Sequence, residues 1–400
     1  MNDIDIGHCE EIGPFTSRVP DSELADLRER LARARWAPEP VGGSEGYGVS
    51  RTRMRDLVQY WSSAYDWRVW EDRLNRYPQF TTRIDGTNVH FLHVRSTEPH
   101  ALPLILSHGW PGSVVEFLDV IEPLSEPRRH GLEPETAFDL VIPSLPGFAW
   151  SGPTPDIGWG PRRIARAWVT LMNRLGYRRY GAVGNDWGAH IAPELGRLAP
   201  DAVVGVHVTQ LFSFPDGEWL SYPPSVEPDL GELTPADRSA LEGLRQVQRN
   251  AGSYAYVHGQ QPHTLGFALT DSPVGLLAWN SQAMGDLDRE TLLTHVTIYW
   301  LTGTATSAMR MYAEHRRQQP PAGPTTVPVA LAQFPHDIQT IRACAERDHA
   351  NIVCWNTYDR GGHYAAHQAP DLLVHDIRGF FGSLMAGRTA PRRQPRWSPR

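Results

Sequence analysis

The sequence contains no lysine; all 38 of its basic residues are arginine. Such a bias points to a GC-rich genome and assigns no chemistry. Cysteine is nearly as scarce. The three residues Cys9, Cys344 and Cys354 form no C-x-x-C and cannot all pair, which fits reduced thiols in a cytoplasmic protein. Excess positive charge is absent too: the formal charge is -7, so nothing favours a nucleic-acid partner. No apolar run is long enough to span a bilayer. The start, Met1-Asn2-Asp3-Ile4-Asp5, is acidic with no apolar core and does not read as a signal peptide. Internal repeats are not seen. What is present describes a globular chain: 400 residues, 40% apolar, with 14 Trp and 35 Gly, the size of a large catalytic domain with additions.

The stretch that organises the chain is Tyr180-Gly181-Ala182-Val183-Gly184-Asn185-Asp186-Trp187-Gly188-Ala189-His190. A short apolar run ends in Gly-x-Asp-x-Gly, and a helix-forming segment follows. This is the strand–turn–helix pattern of a nucleophile elbow, with Asp186 where a hydrolase usually carries Ser. The flanking glycines leave room for a strained turn, and the new helix sets N–H groups beside the carboxylate. A carboxylate is already an anion at neutral pH and needs no base to attack. That suits displacement at a saturated carbon better than attack on an ester.

Patterning around the elbow predicts an α/β protein with a mostly parallel, helix-covered sheet. A first helix is expected over 15–36 with Asp21 as its cap, and a second over 51–76, rich in aromatics that should pack on the catalytic domain. Asp85-Gly86 marks a hairpin within 80–94. Buried strands are expected at 102–107, 138–143, 202–208, 327–332 and 351–355, with helices at 114–124, 164–175 and 371–384. From 214 to 322 the strand pattern lapses, beginning with the Pro-rich Tyr222-Pro223-Pro224, and reads as a helical lid above the sheet. The expected organisation is an N-terminal extension over 1–98, a catalytic core split into 99–213 and 323–386 around the lid at 214–322, and a disordered tail from 387 to 400.

Three further pieces fall where an elbow needs them. His108-Gly109-Trp110-Pro111 follows an early strand; the N–H groups of Trp110 and Trp187 would form an oxyanion hole, while His108 itself reads as a loop brace. His363, after the last strand and a Gly-Gly turn, is the candidate base. It stands i, i+4 from His367, but no Glu lies between them and no third ligand is evident, so no metal is expected. Asp337 is the candidate orienting acid, since nucleophile, acid and base then follow in order; Asp348 and Asp359 are alternatives, Asp359 reading as a surface-loop residue.

Together these pieces resemble the microsomal-type epoxide hydrolases, an α/β-hydrolase family with an N-terminal extension. The resemblance runs from about Phe15 to Leu384 and is carried by Trp67 with Leu74-Asn75-Arg76-Tyr77-Pro78-Gln79-Phe80, by His108-Gly109-Trp110-Pro111-Gly112-Ser113, by Gly184-Asn185-Asp186-Trp187-Gly188, by Asp271-Ser272-Pro273-Val274-Gly275-Leu276, and by Arg360-Gly361-Gly362-His363-Tyr364-Ala365-Ala366. It implies hydrolysis of an epoxide to a vicinal diol through an alkyl ester on Asp186, with water as co-substrate and no cofactor. It also implies two lid tyrosines that hold the ring oxygen. They match Tyr312 and Tyr254, although Tyr256 lies close by and His258 stands where Gln is common. The membrane anchor of animal members is missing, which implies a soluble bacterial form; a homodimer is compatible with it. Detoxification or natural-product biosynthesis, including enediyne antibiotics, are settings the resemblance allows. The rivals are a haloalkane dehalogenase, which would use the Trp187 indole for halide, an ester hydrolase, and a non-catalytic binding protein on the same scaffold.

Overall fold

The computed structural model describes residues 11–41, 46–215, 233–250, 252–284 and 287–389. Its centre is a nine-stranded sheet, built from β1 (Gly13–Phe15), β2 (Gln79–Ile84), β3 (Thr87–Val94), β4 (Leu102–Ser107), β5 (Phe138–Pro143), β6 (Tyr180–Gly184), β7 (Val203–Val208), β8 (Val329–Gln333) and β9 (Ile352–Thr357). The order across the sheet is β1-β2-β3-β5-β4-β6-β7-β8-β9. Strands β4 to β9 run parallel, and β1 to β3 add an antiparallel edge. The central strands β4, β5, β6 and β7 are buried on both faces along almost their whole length, which is why they read as continuous apolar runs. The hairpin between β2 and β3 turns on Asp85 and Gly86, both at positive φ (50° and 79°), as a two-residue turn matched to strand twist requires.

The helices are α1 (Asp21–Ala32), α2 (Arg51–Ser63), α3 (Trp67–Asn75), α4 (Leu118–Ser125), α5 (Pro161–Arg174) and α6 (Trp187–Leu198) before the lid region. Between β7 and β8 come α7 (Pro235–Asn250), α8 (Ser253–Gln260), α9 (Pro262–Asp271), α10 (Pro273–Ser281), α11 (Arg289–Thr302) and α12 (Ala305–Arg317). Then follow α13 (Arg342–Asp348), α14 (Ala365–Gln368) and the closing α15 (Pro370–Thr389). Among the described residues no helix is long and apolar enough to cross a membrane.

Several local expectations are corrected. Phe15 belongs to β1, and Asp21 is the first helical residue of α1 rather than its cap; its carboxylate pairs with Arg68 instead. The segment 51–76 is two helices, because Asp66 caps α3 by accepting the Arg68 N–H at 2.9 Å. The helix expected from 114 begins as a 3-10 turn, Val114–Phe117, before α4. Strand β8 starts at Val329, since Pro328 has no N–H for the ladder. Helix α15 extends to Thr389, so 387–389 are not a disordered tail. Residues 390–400, the Tyr222-Pro223-Pro224 loop, Cys9 and the first five residues lie outside the described residues. Cys344 and Cys354 are free thiols.

The aromatic stripe of α2 and α3 meets a partner the sequence did not suggest. It grips α11. Trp61 Nε1–H donates to Thr297 Oγ1 at 2.9 Å, Tyr65 shares a 3.0 Å hydrogen bond with Thr294, Trp70 Nε1–H reaches Glu290 at 3.4 Å, and the Tyr60 hydroxyl donates to Glu290. Contact with the core is also made, through an Arg73–Asp119 ion pair. Replacing the buried Trp61 by Ala is expected to cost about 3–5 kcal/mol in denaturant unfolding. Trp61→Phe keeps most of the ring but deprives Thr297 of this donor, and is expected to cost about 1–2 kcal/mol.

Candidate active site

The buried strand β6 delivers the chain to the edge of the sheet at Gly184, and α6 begins at Trp187. Between them Asp186 has φ 51° and ψ -118°, a conformation that costs an L-residue about 1–3 kcal/mol. The surrounding backbone is held on all sides. Asn185 N–H donates to Ser107 O at 3.1 Å, Gly188 N–H is shared between Asn185 O at 2.8 Å and His108 O at 3.0 Å, and Asp186 N–H donates to Gln210 Oε1 at 3.0 Å. Two glycines are dictated by contact. A Cβ on Gly188 would lie 1.9 Å from Ser107 O, and one on Gly109 would lie 2.1 Å from the Asp186 carboxylate.

That carboxylate divides its two oxygens. Oδ1 accepts the Trp110 N–H at 2.8 Å, and Oδ2 lies 3.7 Å from His363 Nε2. Burial pushes the Asp186 carboxyl above its ordinary range, while the His363 charge and the N–H groups of Trp110 and Trp187 oppose the rise. The Trp110 bond is the stronger of the two N–H contacts; the Trp187 N–H favours the anion without closing a bond of that quality. His108 braces this loop as its sequence context suggested. Its Nε2 accepts Leu145 N–H at 3.2 Å, so Nδ1 carries the proton and donates to Gly109 O at 3.0 Å. Burial holds its pKa down at about 4, so it stays neutral.

His363 and Asp337 are brought together on the other side. His363 Nδ1 lies 2.9 Å from Asp337 Oδ1, which also accepts Ile338 N–H at 2.7 Å. His363 keeps a quarter of its side-chain surface open, yet the protein crowds it enough that desolvation disfavours the imidazolium. The Asp337 charge and hydrogen bond, then the charges of Asp186 and Glu116, outweigh that and raise its pKa to about 9. The alternative acids sit elsewhere: Asp348 pairs with Arg347 at 2.6 Å, and Asp359 is exposed. His367 turns to other partners, with Nε2 at 3.2 Å from His295 Nε2 and Nδ1 at 3.8 Å from Asp119.

Lid helices complete the constellation. Tyr254 on α8 and Tyr312 on α12 stand with ring centroids 6.1 Å apart and planes at 89°. Both pack on Trp110, at 4.9 and 5.9 Å, and Tyr312 packs on Trp187 at 4.6 Å. Burial first, and then nearby charge including that of Asp186, pushes both hydroxyls above the usual tyrosine range, so both keep their protons. Tyr254 shares its helical face with His258, one turn on, whose ring lies against Trp110 and Tyr312 at 4.5 and 4.8 Å. Tyr256, two residues from each, projects from the other side of that helix.

Sequence reasoning missed a buried polar group beneath the elbow. Asn185 Nδ2–H donates to Glu116 Oε1 at 2.6 Å, and Asn185 Oδ1 accepts from Thr209 at 2.7 Å and from Gln210 at 2.8 Å. Burial raises the Glu116 carboxyl to about 8, so it is a neutral acid at neutral pH and carries the charge that supports the His363 proton only at higher pH. The only sign in the sequence was the pair of polar residues, Thr209-Gln210, directly after an apolar strand.

Comparisons with known proteins give the family and the fold. A family model described as the epoxide hydrolase N terminus matches residues 12–117, and one for the alpha/beta hydrolase fold matches residues 103–349. Epoxide hydrolase 1 of Sus scrofa is 32% identical over 412 residues, covering 94% of this chain and 89% of its own. The structure of Aspergillus niger epoxide hydrolase superposes with a TM-score of 0.80 at 30% identity, over 94% of this chain and 98% of that one. Juvenile hormone epoxide hydrolase from the silkworm Bombyx mori gives a TM-score of 0.83 at 25% identity, over 95% and 96% of the two chains.

The charges around His363 make its titration a direct probe of the site. An NMR titration of its imidazole should give an apparent pKa of about 9. Removing a negative neighbour destabilises the imidazolium, so Asp186→Asn should lower the value and Asp337→Asn should lower it further.

Proposed function

The chain belongs to the epoxide hydrolase family, an enzyme family of the α/β-hydrolase fold, and from that premise we propose how its own residues open an epoxide. The observation that carries the proposal is the Asp186 carboxylate, fixed on one oxygen by Trp110 N–H, with two protonated tyrosines above it and His363–Asp337 behind. The free oxygen, Oδ2, attacks one carbon of the ring, and the ring C–O bond breaks. Tyr254 and Tyr312 hold the departing oxygen, and one of them gives it a proton. An alkyl ester on Asp186 and a tyrosinate result. The imidazolium of His363 returns a proton to the tyrosinate through solvent, which leaves both groups neutral.

Esterification also erases one of the charges that kept His363 protonated. Its pKa therefore falls as the ester forms, which favours the neutral base at the stage where there is an ester to hydrolyse. His363, oriented by Asp337, then takes a proton from water, and the oxygen adds to the carbonyl carbon of Asp186. Negative charge gathers on Oδ1, against the N–H groups of Trp110 and Trp187. Collapse expels the diol alkoxide. It takes the remaining proton of the added oxygen, and Asp186 is an anion again with His363 protonated.

The aromatic walls formed by Trp110, Tyr254, Tyr312 and Trp187 suit a bulky aryl or alkyl epoxide. A role in natural-product biosynthesis, such as that of an enediyne antibiotic, rests on the lysine-free composition alone. Against the dehalogenase reading stand the N-terminal extension, which matches the epoxide hydrolase N terminus, and the lid tyrosine Tyr312, packed on Trp187 at 4.6 Å.

The test is single-turnover hydrolysis of racemic styrene oxide in oxygen-labelled water. Label should appear in Asp186 first and be missing from first-cycle diol. Label in that diol with an unlabelled protein would overturn the mechanism, and halide release from chloroalkanes without diol formation would favour the dehalogenase. Asp186→Asn should abolish turnover, and His363→Gln should accumulate the ester, seen as an adduct mass on the intact protein. Tyr254→Phe and Tyr312→Phe should each slow ring opening by about 10²-fold, the low end for losing a general acid because its partner remains.

A further inference from the structure

One side chain touches both halves of this machinery and has no role in the steps above. Gln210 follows β7 and has no exposed surface. Its Oε1 accepts the Asp186 N–H at 3.0 Å and faces the Thr209 hydroxyl at 2.9 Å. Its Nε2 donates to Asn185 Oδ1 at 2.8 Å and to Asp337 Oδ2. Both amide donors are thus engaged, and the oxygen accepts the Asp186 N–H, while the one Thr209 hydroxyl proton lies between this oxygen and Asn185 Oδ1.

The orientation is forced. Turned over, the amide would set its NH2 against the Asp186 N–H and its oxygen against the Asp337 carboxylate. Each end also does something no other group does. The Oε1 bond is the only described hydrogen bond to the N–H of Asp186, the residue at strained φ. The Nε2 bond occupies Asp337 Oδ2, so the carboxylate presents Oδ1 to His363 Nδ1, where Ile338 N–H also holds it. A neutral amide of this length suits both tasks. Glutamate would accept from Asp186 equally well but would repel Asp337, and asparagine is one methylene shorter.

We propose that Gln210 is a positioning residue that ties the nucleophile's elbow to the orienting acid, holding Asp186 and the His363–Asp337 pair in one frame through both half-reactions. The proposal rests on the assignment of Asp186 as nucleophile and His363 as base. It makes Gln210 more important for ester hydrolysis than for ring opening. Ring opening needs Asp186 alone in place, whereas hydrolysis needs the ester carbonyl, the base and the acid in register, and small misplacement there costs up to about 10²-fold.

Two substitutions test this against a merely structural role. Gln210→Met keeps the bulk and removes every polar contact. Single-turnover hydrolysis of its ester should slow by at least about tenfold, with ring opening affected less, so that ester accumulates. Gln210→Glu keeps the acceptor for Asp186 N–H. Its added carboxyl faces Asp337 directly, with His363 and Asp186 beyond it and Glu116 across Asn185. At acidic pH a proton held between the two carboxyls restores a donor to Asp337; at higher pH repulsion replaces it.

The ratio of its hydrolysis rate to that of the unmodified enzyme should therefore fall at least about tenfold between about pH 5 and pH 8, through an ionisation the unmodified enzyme lacks. The Gln210→Met ratio should stay flat. The proposal is overturned if Gln210→Met hydrolyses its ester within about twofold of the unmodified enzyme. It is equally overturned if both variants lose activity in step with their melting temperatures and with no difference in pH dependence. Failure of the underlying assignment looks different: no ester would form in His363→Gln, whichever residue stands at 210.

Discussion

An anion kept in a crowded pocket has to be held ionised, and the structure around Asp186 is organised by that requirement. Burial alone pushes its proton affinity up, which would blunt a nucleophile. Three elements answer it from three directions. The loop after β4 supplies the Trp110 N–H, the start of α6 supplies that of Trp187, and the loop after β9 supplies the His363 imidazolium. Each of those elements is fixed by something else: His108 pins the first loop to Leu145, glycines permit the second to turn, and Asp337 at the end of β8 holds the third. The parallel sheet matters because it brings the ends of β4, β6, β7 and β8 to one edge.

The same balance ties both carboxylates to the imidazole. Asp337 gives the larger share of the support for the His363 proton and the Asp186 anion a further share, so loss of the Asp186 charge weakens that hold without removing it.

How much of this could be read from the sequence depends on how local each feature is. The elbow was legible because strand, turn and helix are adjacent in the chain, and because contact rather than fold demands glycine at 188. The Asp85-Gly86 hairpin was legible for the same reason. His363 and Asp337 were legible only through their order after the elbow and their places after strands, since nothing in Phe334-Pro335-His336-Asp337 alone distinguishes its acid from Asp348. Between Tyr254 and Tyr256 the sequence left a choice, and the two differ in helix phase on α8: Tyr254 packs on Trp110, while Tyr256 leaves the helix on its other side. Gln210, Asn185 and Glu116 were hidden because their partners come from β4, β6, β7 and β8 at once, and a lone buried amide has no periodicity to betray it. The partner of the α2–α3 aromatics was hidden likewise. Helical spacing shows which face is buried, not which surface covers it.

The grip of the N-terminal helices on α11 has a bearing on traffic. Tyr299 in that same helix donates to Gly112 O, so α11 is anchored from below by the Trp110 loop and from outside by Trp61, Tyr65 and Tyr60. A roof fastened on two sides does not swing like a flap. If α11 moves during turnover, it has to loosen together with its outer clamp. In that case the tempo of product departure is set in part by helices that never approach the reacting atoms.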